Sequence, residues 1–517
     1  MLNPLRHLPG AQPLARRSLL GTAVFGAAAC RTRAPAPAGG AGGDLPAFSV
    51  ATGRADITPR LGKDTWLAGY ATTSGPRVAT GVRRRLYARC TVLRHSGVPH
   101  LIVTADVLGI PPSVHQAVRT AVRRRYRVSD ARLILTATHT HGGPVLPEHL
   151  DPYISYGIPY ESAGALRSYT RRLVRDLTDL VGRTLSSRAT PCSLEFHMGH
   201  EDFAVNRAGL PHAEVAVPVL VARNTHGGVR AVLFGYGCHP VAAGGVEALV
   251  DSDYPGVAVA RVEEALPGAF AHFLLGAAGD QNPGTRDQFG PDHCERVGAR
   301  LAGAVTRALA GPGRTLHGPL AAESRRVALP LDVPRTPREH SVFAAAFASR
   351  LRGTATAPVR RRHAHVMLRQ LATRSYAGTV HLPVHVWKLG GTPGLALALT
   401  GGELVSGYAG ILRSRHGGPE SLWIGGYANE TCAYIPTDEL LLRTSGGSYE
   451  GGWDRDHPRV AGGSMAPYGW LSHFRGKADA DAADGVEQIL VHALDEMLTT
   501  TPRTAGEPGT MARLSPL

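Results

Sequence analysis

Along the chain, short apolar runs alternate with stretches whose apolar residues recur at helical spacing. Pro99–Val107 (PHLIVTADV) has the length and continuity of a buried strand. Ser113–Arg127 follows it and predicts a helix, with Val114, Ala117, Val118, Ala121 and Val122 on one face. Arg132–Thr138 predicts the next strand and Leu166–Leu185 a long helix. Val229–Tyr236, Ala271–Gly276, Leu395–Thr400 and Leu422–Gly426 read as strands. Gly256–Leu266, Asp292–Ala310, Val405–Arg415 and Gly485–Thr499 read as helices. The stretch 312–390 is less regular and predicts several short strands, in a subdomain or insertion. No internal repeat is visible. Such alternation predicts an α/β fold of mixed sheets with flanking helices, in one large domain over 47–500.

In open α/β sheets, ligands collect outside the carboxyl ends of the strands. The polar residues closing these apolar runs are Asp106, then His139 and His141, then His239, Asp280, Glu403 and Asn429. In Thr138-His139-Thr140-His141-Gly142-Gly143-Pro144, an extended backbone would turn both histidines to one side. The glycines would permit a tight turn and close approach of a substrate. Cys238-His239-Pro240 and Gly401-Gly402-Glu403 end two further runs. Imidazole and carboxylate are good zinc ligands. A lone His-x-His is more often not a metal site, and His239 and Glu403 at equivalent strand ends shift that balance. Asp251-Ser252-Asp253 could hold a second metal, but it stands where a helix begins, which favours capping.

Further motifs fall in order along the chain. They are Gly53–Pro59, Leu67-Ala68-Gly69-Tyr70, Ala137–Pro144, Asn206-Arg207, His239-Pro240, Gly279-Asp280, Gly402-Glu403-Leu404 with Ala409-Gly410, Gly426–Asn429, Tyr434 and Tyr449-Glu450-Gly451. Over roughly residues 50–500 this series resembles the neutral/alkaline non-lysosomal ceramidase family. The resemblance implies a zinc amidase in which His139, His239, Glu403 and Tyr434 hold one Zn²⁺. His141, Arg207 and Tyr449 would then be catalytic, binding the scissile amide and its oxyanion. Zinc lowers the pKa of a bound water to about 7, and an oxyanion needs preorganised donors. His141 could protonate the leaving amine. Asp106 would orient a zinc histidine or cap a loop, and Asp280 is a similar supporting candidate. Asn282 stands where the family carries serine, which rules out a serine nucleophile there and leaves a zinc-water mechanism intact. Gly142 likewise replaces a serine. Tyr434 and Tyr449 lie 15 positions apart, a wider spacing than the family shows. After the closing helix only a polar tail, 501–517, remains where the family continues into an immunoglobulin-like domain.

Composition narrows the partners. The chain has 517 residues, 43% hydrophobic and 19% charged, enough apolar material to exclude general disorder. Its formal net charge is +15, yet all but Lys63, Lys388 and Lys477 of its 56 basic residues are arginine. The arginine runs at 83–85, 123–125 and 360–362 are short and scattered, which argues against a nucleic-acid-binding face. Residues 1–30 resemble a Tat-type export signal: Arg16-Arg17 precedes a short apolar run that ends at Cys30, a candidate lipidation site. Residues 31–46 read as an Ala/Pro/Gly-rich tether. Five cysteines follow, an odd number with no CxxC pair. The expectation is an exported enzyme, extracellular or cell-surface and peripherally attracted to anionic lipid, that cleaves the N-acyl amide of ceramide or a related lipid. The alternatives are a zinc hydrolase of another amide or ester, and a non-catalytic lipid- or sugar-binding lipoprotein.

Overall fold

A computed structural model describes residues 48–500 except 71–76, 355, 391–392, 442–448 and 478–484. The expected signal, Cys30, the tether and the tail all lie outside the described residues.

Twelve strands form the main sheet. In chain order its elements are β1 (Phe48–Asp56), β2 (Tyr87–His95), β3 (Val98–Ala105), α1 (Pro112–Tyr126), β4 (Leu133–Ala137), α2 (Ala163–Ser186), β5 (Thr190–His200), β6 (Ala216–Asn224), β7 (Val229–Tyr236), α3 (Asp253–Ala265), β8 (Phe270–Leu275), α4 (Pro291–Ala310), β9 (Arg314–Pro330), α5 (Pro337–Arg352), α6 (Pro358–Thr373), β10 (Thr379–Gly390), β11 (Leu395–Thr400), α7 (Gly407–Arg415), β12 (Leu422–Gly425) and α8 (Val486–Thr499). The main path runs β12-β11-β10-β9-β5-β1-β2-β3-β4, and a branch runs from β5 through β6 and β7 to β8.

Most pairings are antiparallel. Three pairings within this sheet are parallel: β3 with β4, β7 with β8, and β11 with β12. Each parallel pair is joined through a helix (α1, α3 and α7), because parallel neighbours need a crossover. The six polar strand ends predicted above are the carboxyl ends of these three units. Backbone bridges Thr136–Ala428 and Gly276–Gly425 tie the ends of β4, β8 and β12 together, so the three units deliver their termini to one place.

Each unit has its own apolar layer. Val114, Val118 and Val122 of α1 and Leu173, Leu177 and Leu180 of α2 pack on Leu101, Val103 and Leu135. Of the helical face expected on α1, Ala117 and Ala121 are not buried; His115 is, with its Nδ1 2.8 Å from Glu430 Oε1. Helices α3 and α4 touch closely because Gly298 has no side chain: a Cβ there would stand 2.6 Å from Val257 Cβ.

The stretch 312–390 departs from expectation. It holds two long strands, β9 of 17 residues and β10 of 12, with the α5–α6 helical pair between them. The missed signal is local: Thr336-Pro337-Arg338-Glu339 forms a capping box, the Thr336 hydroxyl accepting from Glu339 N while Glu339 Oε2 accepts from Thr336 N. The strands were hidden because β9 is only partly buried along most of its length, which blurs the alternation.

Candidate active site

The site begins with backbone. Beyond β4 the chain does not stay extended: His139 has φ +63°. Alternation along a strand is therefore not what turns the two histidines the same way. The His139 amide bonds Val107 O (3.0 Å), and Gly142 pairs its backbone with Asp251. Gly142 and Gly143 are small for that backbone rather than for a substrate, since a Cβ on Gly142 would lie 2.6 Å from Asp251 O.

His139 and His239 are buried and built alike. Nδ1 of His139 faces Leu108 O, and Nδ1 of His239 faces Ala278 O at 2.6 Å. Bonding to a carbonyl makes Nδ1 the protonated nitrogen and leaves each Nε2 as a lone-pair donor. The two Nε2 atoms lie 3.1 and 3.2 Å from Glu403 Oε2. Glu403 pairs in parallel with Tyr434 through a two-residue ladder, which brings the Tyr434 hydroxyl to 3.1 Å from His239 Nε2. His139, His141 and His239 each present a ring nitrogen within 4.8 Å of the others. Both ring nitrogens of His141 lack a hydrogen-bond partner.

Electrostatics agree with a donor cluster. Burial, assisted by the nearby Arg207 charge, pushes His239 down to about 4, so it is neutral at pH 7. His141 is pushed well below its usual value by burial and by its two histidine neighbours. Glu403 is held well below the usual carboxylate range: burial opposes this, but His139 and His239 outweigh it.

Arg207 is more committed than the sequence suggested. Its Nε donates to Glu450 Oε1 (2.7 Å), Nη1 to Asn282 Oδ1 (3.2 Å), and Nη2 to Gly279 O (2.7 Å) and Tyr434 OH (3.0 Å). A guanidinium has five N–H groups, so one is left for a substrate. Arg207 first holds Tyr434, and any oxyanion contact comes second. Tyr449 is 42% exposed at the cleft mouth, its ring 5.5 Å from that of Tyr434.

The supporting acids take the following places. Asp106 orients no zinc histidine. Its Oδ2 accepts from Tyr87 N (2.8 Å), the loop-capping role, and it lines a separate cavity with Arg54, Arg85, Arg89 and Glu263. Asp280 binds Ser406 N and Oγ (2.7 and 2.9 Å) and Asn206 Nδ2 (2.7 Å), which clamps the β8 and β11 ends together. In 251–253 the helix start is capped by the acids rather than by Ser252: Asp251 Oδ1 accepts from Asp253 N (2.9 Å) and Asp253 Oδ1 from Tyr254 N (2.7 Å), while Asp251 also pairs with Arg83 and Arg84, and Asp253 accepts from Ala242 N and Ala243 N, ordering the loop after His239. Asn282 does sit beside the site, through Arg207.

Two residues were missed. Tyr468 donates to Glu403 Oε1 at 2.6 Å, and Glu450, quoted only within a motif, is the buried counter-ion of Arg207. Nothing local in Ala466-Pro467-Tyr468-Gly469 marks it. The cleft over the site is lined by Ala68, Leu108, Leu150, Ser155, Pro467 and Tyr468, among others. Pro152–Tyr156 is a short helix: Tyr156 is buried and donates to Ala68 O (2.6 Å), and Ser155 reaches the cleft.

Residues 48–158 match the family description "Neutral/alkaline non-lysosomal ceramidase, N-terminal". This match, over the N-terminal part of the chain, supports the resemblance read from the motifs. Its fold agrees with the crystal structure of neutral ceramidase from Pseudomonas aeruginosa, at a TM-score of 0.59 and 19% identity, covering 90% of this chain and 77% of that one. A ceramidase complexed with C2 matches equally, at 0.59 and 19%, over 91% and 78%. No curated protein matches in sequence.

Proposed function

We propose that this chain hydrolyses the N-acyl amide of ceramide or a related N-acyl lipid at a single zinc ion held by His139, His239, Glu403 and Tyr434. The observation that carries this is the meeting of two Nε2 lone pairs, one carboxylate oxygen and one phenol oxygen at the carboxyl ends of the parallel strands. The donor set suits zinc: two buried imidazoles presenting Nε2, of which His239 is neutral at pH 7, an ionised carboxylate and a phenol oxygen. A zinc ion bound there would supply Lewis acidity toward an amide carbonyl and toward a water. Neutral His141, with both ring nitrogens free, can accept a proton and return it to the leaving amine nitrogen. The remaining Arg207 N–H and the Tyr449 hydroxyl are the donors available to an oxyanion. The apolar wall of Ala68, Leu108, Leu150 and Pro467 suits an acyl chain. Export through residues 1–30, with lipidation at Cys30, belongs to the same proposal and rests on the sequence. Among the described residues no helix is long and apolar enough to cross a membrane.

The test is zinc content together with turnover of a fluorescent ceramide, with and without a chelator. One zinc per chain and chelator-sensitive turnover are expected. Absence of stoichiometric zinc sinks the proposal. Zinc without ceramide cleavage, but with cleavage of other acyl amides or esters, moves the substrate and keeps the chemistry.

A further inference from the structure

We infer that Tyr468 is a positioning residue for the metal site, fixing which oxygen of Glu403 faces the donor cluster. This rests on the zinc reading above. The two carboxylate oxygens have separate partners. Oε2 lies against Nε2 of His139 and of His239, while Oε1 accepts the Tyr468 hydroxyl at 2.6 Å. Tyr427 also reaches the carboxylate, but on the Oε2 side and at 3.4 Å, too long to fix its orientation. A phenol bonded to an ionised carboxylate is a short, charge-assisted contact, stronger than a neutral one. With Oε1 so held, Glu403 offers one oxygen rather than two. Without it, the carboxylate is free to rotate about its terminal bond.

The loop carrying Tyr468 is pinned on both sides. Ser155 Oγ donates to Pro467 O (3.1 Å), and Trp470 Nε1 donates to Cys432 O (2.9 Å). The Tyr468 ring is steadied by His149, a buried histidine the proposed chemistry does not use, packed edge-on with ring centroids 5.6 Å apart. His149 in turn fills space that Gly109 leaves: a Cβ on Gly109 would stand 2.1 Å from His149 Nε2. Gly109, His149 and Tyr468 thus form a stack ending on Glu403 Oε1.

The experiment titrates zinc into the metal-free chain against a chromophoric chelator, without substrate, for wild type and Tyr468→Phe, and records the visible absorption of the Co²⁺-loaded forms. Phenylalanine keeps the ring and removes only the donor. The expected result is zinc binding weaker by about 10- to 100-fold, the usual cost of losing a partner behind a metal ligand, with a changed cobalt spectrum and little change in the melting temperature of the metal-free form. Gly109→Ala, which displaces His149 without touching the carboxylate, is expected to weaken zinc binding in the same direction and carries the test if Tyr468→Phe does not fold. Unchanged affinity and an unchanged cobalt spectrum overturn the inference. A wild-type chain that takes up no zinc overturns the proposed function itself, and the wild-type titration alone reveals that.

Discussion

Arg207 donates to the phenol oxygen of Tyr434 across 3.0 Å, and the same oxygen lies 3.1 Å from His239 Nε2. A guanidinium on one side and an imidazole on the other hold the Tyr434 oxygen at the donor cluster. The guanidinium is itself locked by Glu450, Asn282 and Gly279 O, so the phenol is placed by a chain of contacts that crosses four segments of sequence.

Removing the cation leaves Glu450 buried and unpaired. Arg207→Ala is expected to cost about 3–5 kcal/mol of stability, the range for breaking a buried pair from one side. Arg207→Lys restores charge without the planar fork, so it should recover part of the stability and little of the activity. Urea unfolding and a ceramide assay on both variants check this; an Arg207→Ala chain as stable as wild type contradicts it.

Asn282 and Arg207 act as one unit, so their effects on turnover should not add. Asn282→Ala alone is expected to lower kcat/KM, while adding it to Arg207→Lys should change little more. A double-mutant cycle measures the coupling, expected at about 0.5–3 kcal/mol for contacting residues. Strict additivity would show that the 3.2 Å contact does not matter.

Gly279 sits between the two strand ends that carry Asp280 and Glu403. A Cβ there would stand 2.8 Å from Glu403 O and 3.0 Å from Leu404 O, both backbone, and its own carbonyl accepts from Arg207. Gly279→Ala should destabilise by about 1–3 kcal/mol, as overpacking does, and weaken zinc uptake by separating Glu403 from His239. Normal zinc affinity in a folded Gly279→Ala chain would show that this spacing is not needed.

His272 is fully buried between the hydroxyls of Thr91 (2.8 Å) and Thr104 (2.7 Å), and burial pushes it down to about 3. Unfolded, it titrates near 6.5. Between pH 6.5 and 3 the unfolded chain binds a proton that the folded one refuses. Stability is therefore fully present above pH 6.5 and falls as the pH drops through that window. His272→Gln should flatten the acid limb of a plot of stability against pH by up to about 1.4 kcal/mol per pH unit. An identical limb in wild type and variant would place the acid sensitivity elsewhere.

Much of the site could be read in the chain itself. Apolar runs with helical stretches between them mark the three β-α-β units, and in each unit the residue after the run is one that can bind metal: His139, His239, Glu403. This works because a buried parallel strand must be apolar throughout, so the first polar residue past it stands at the sheet's carboxyl edge. What the chain could not show is what lies behind those residues. Asp106 and Asp280 look alike in sequence, yet one caps Tyr87 and the other clamps Ser406. Tyr468 stands 65 positions from Glu403 in an unpatterned loop, and only tertiary packing sets its hydroxyl on the carboxylate. Periodicity records burial, which each residue carries in its own chemistry. Hydrogen-bond partnership between distant loops depends on where the backbone brings them, and that is decided only when the three units close on one another.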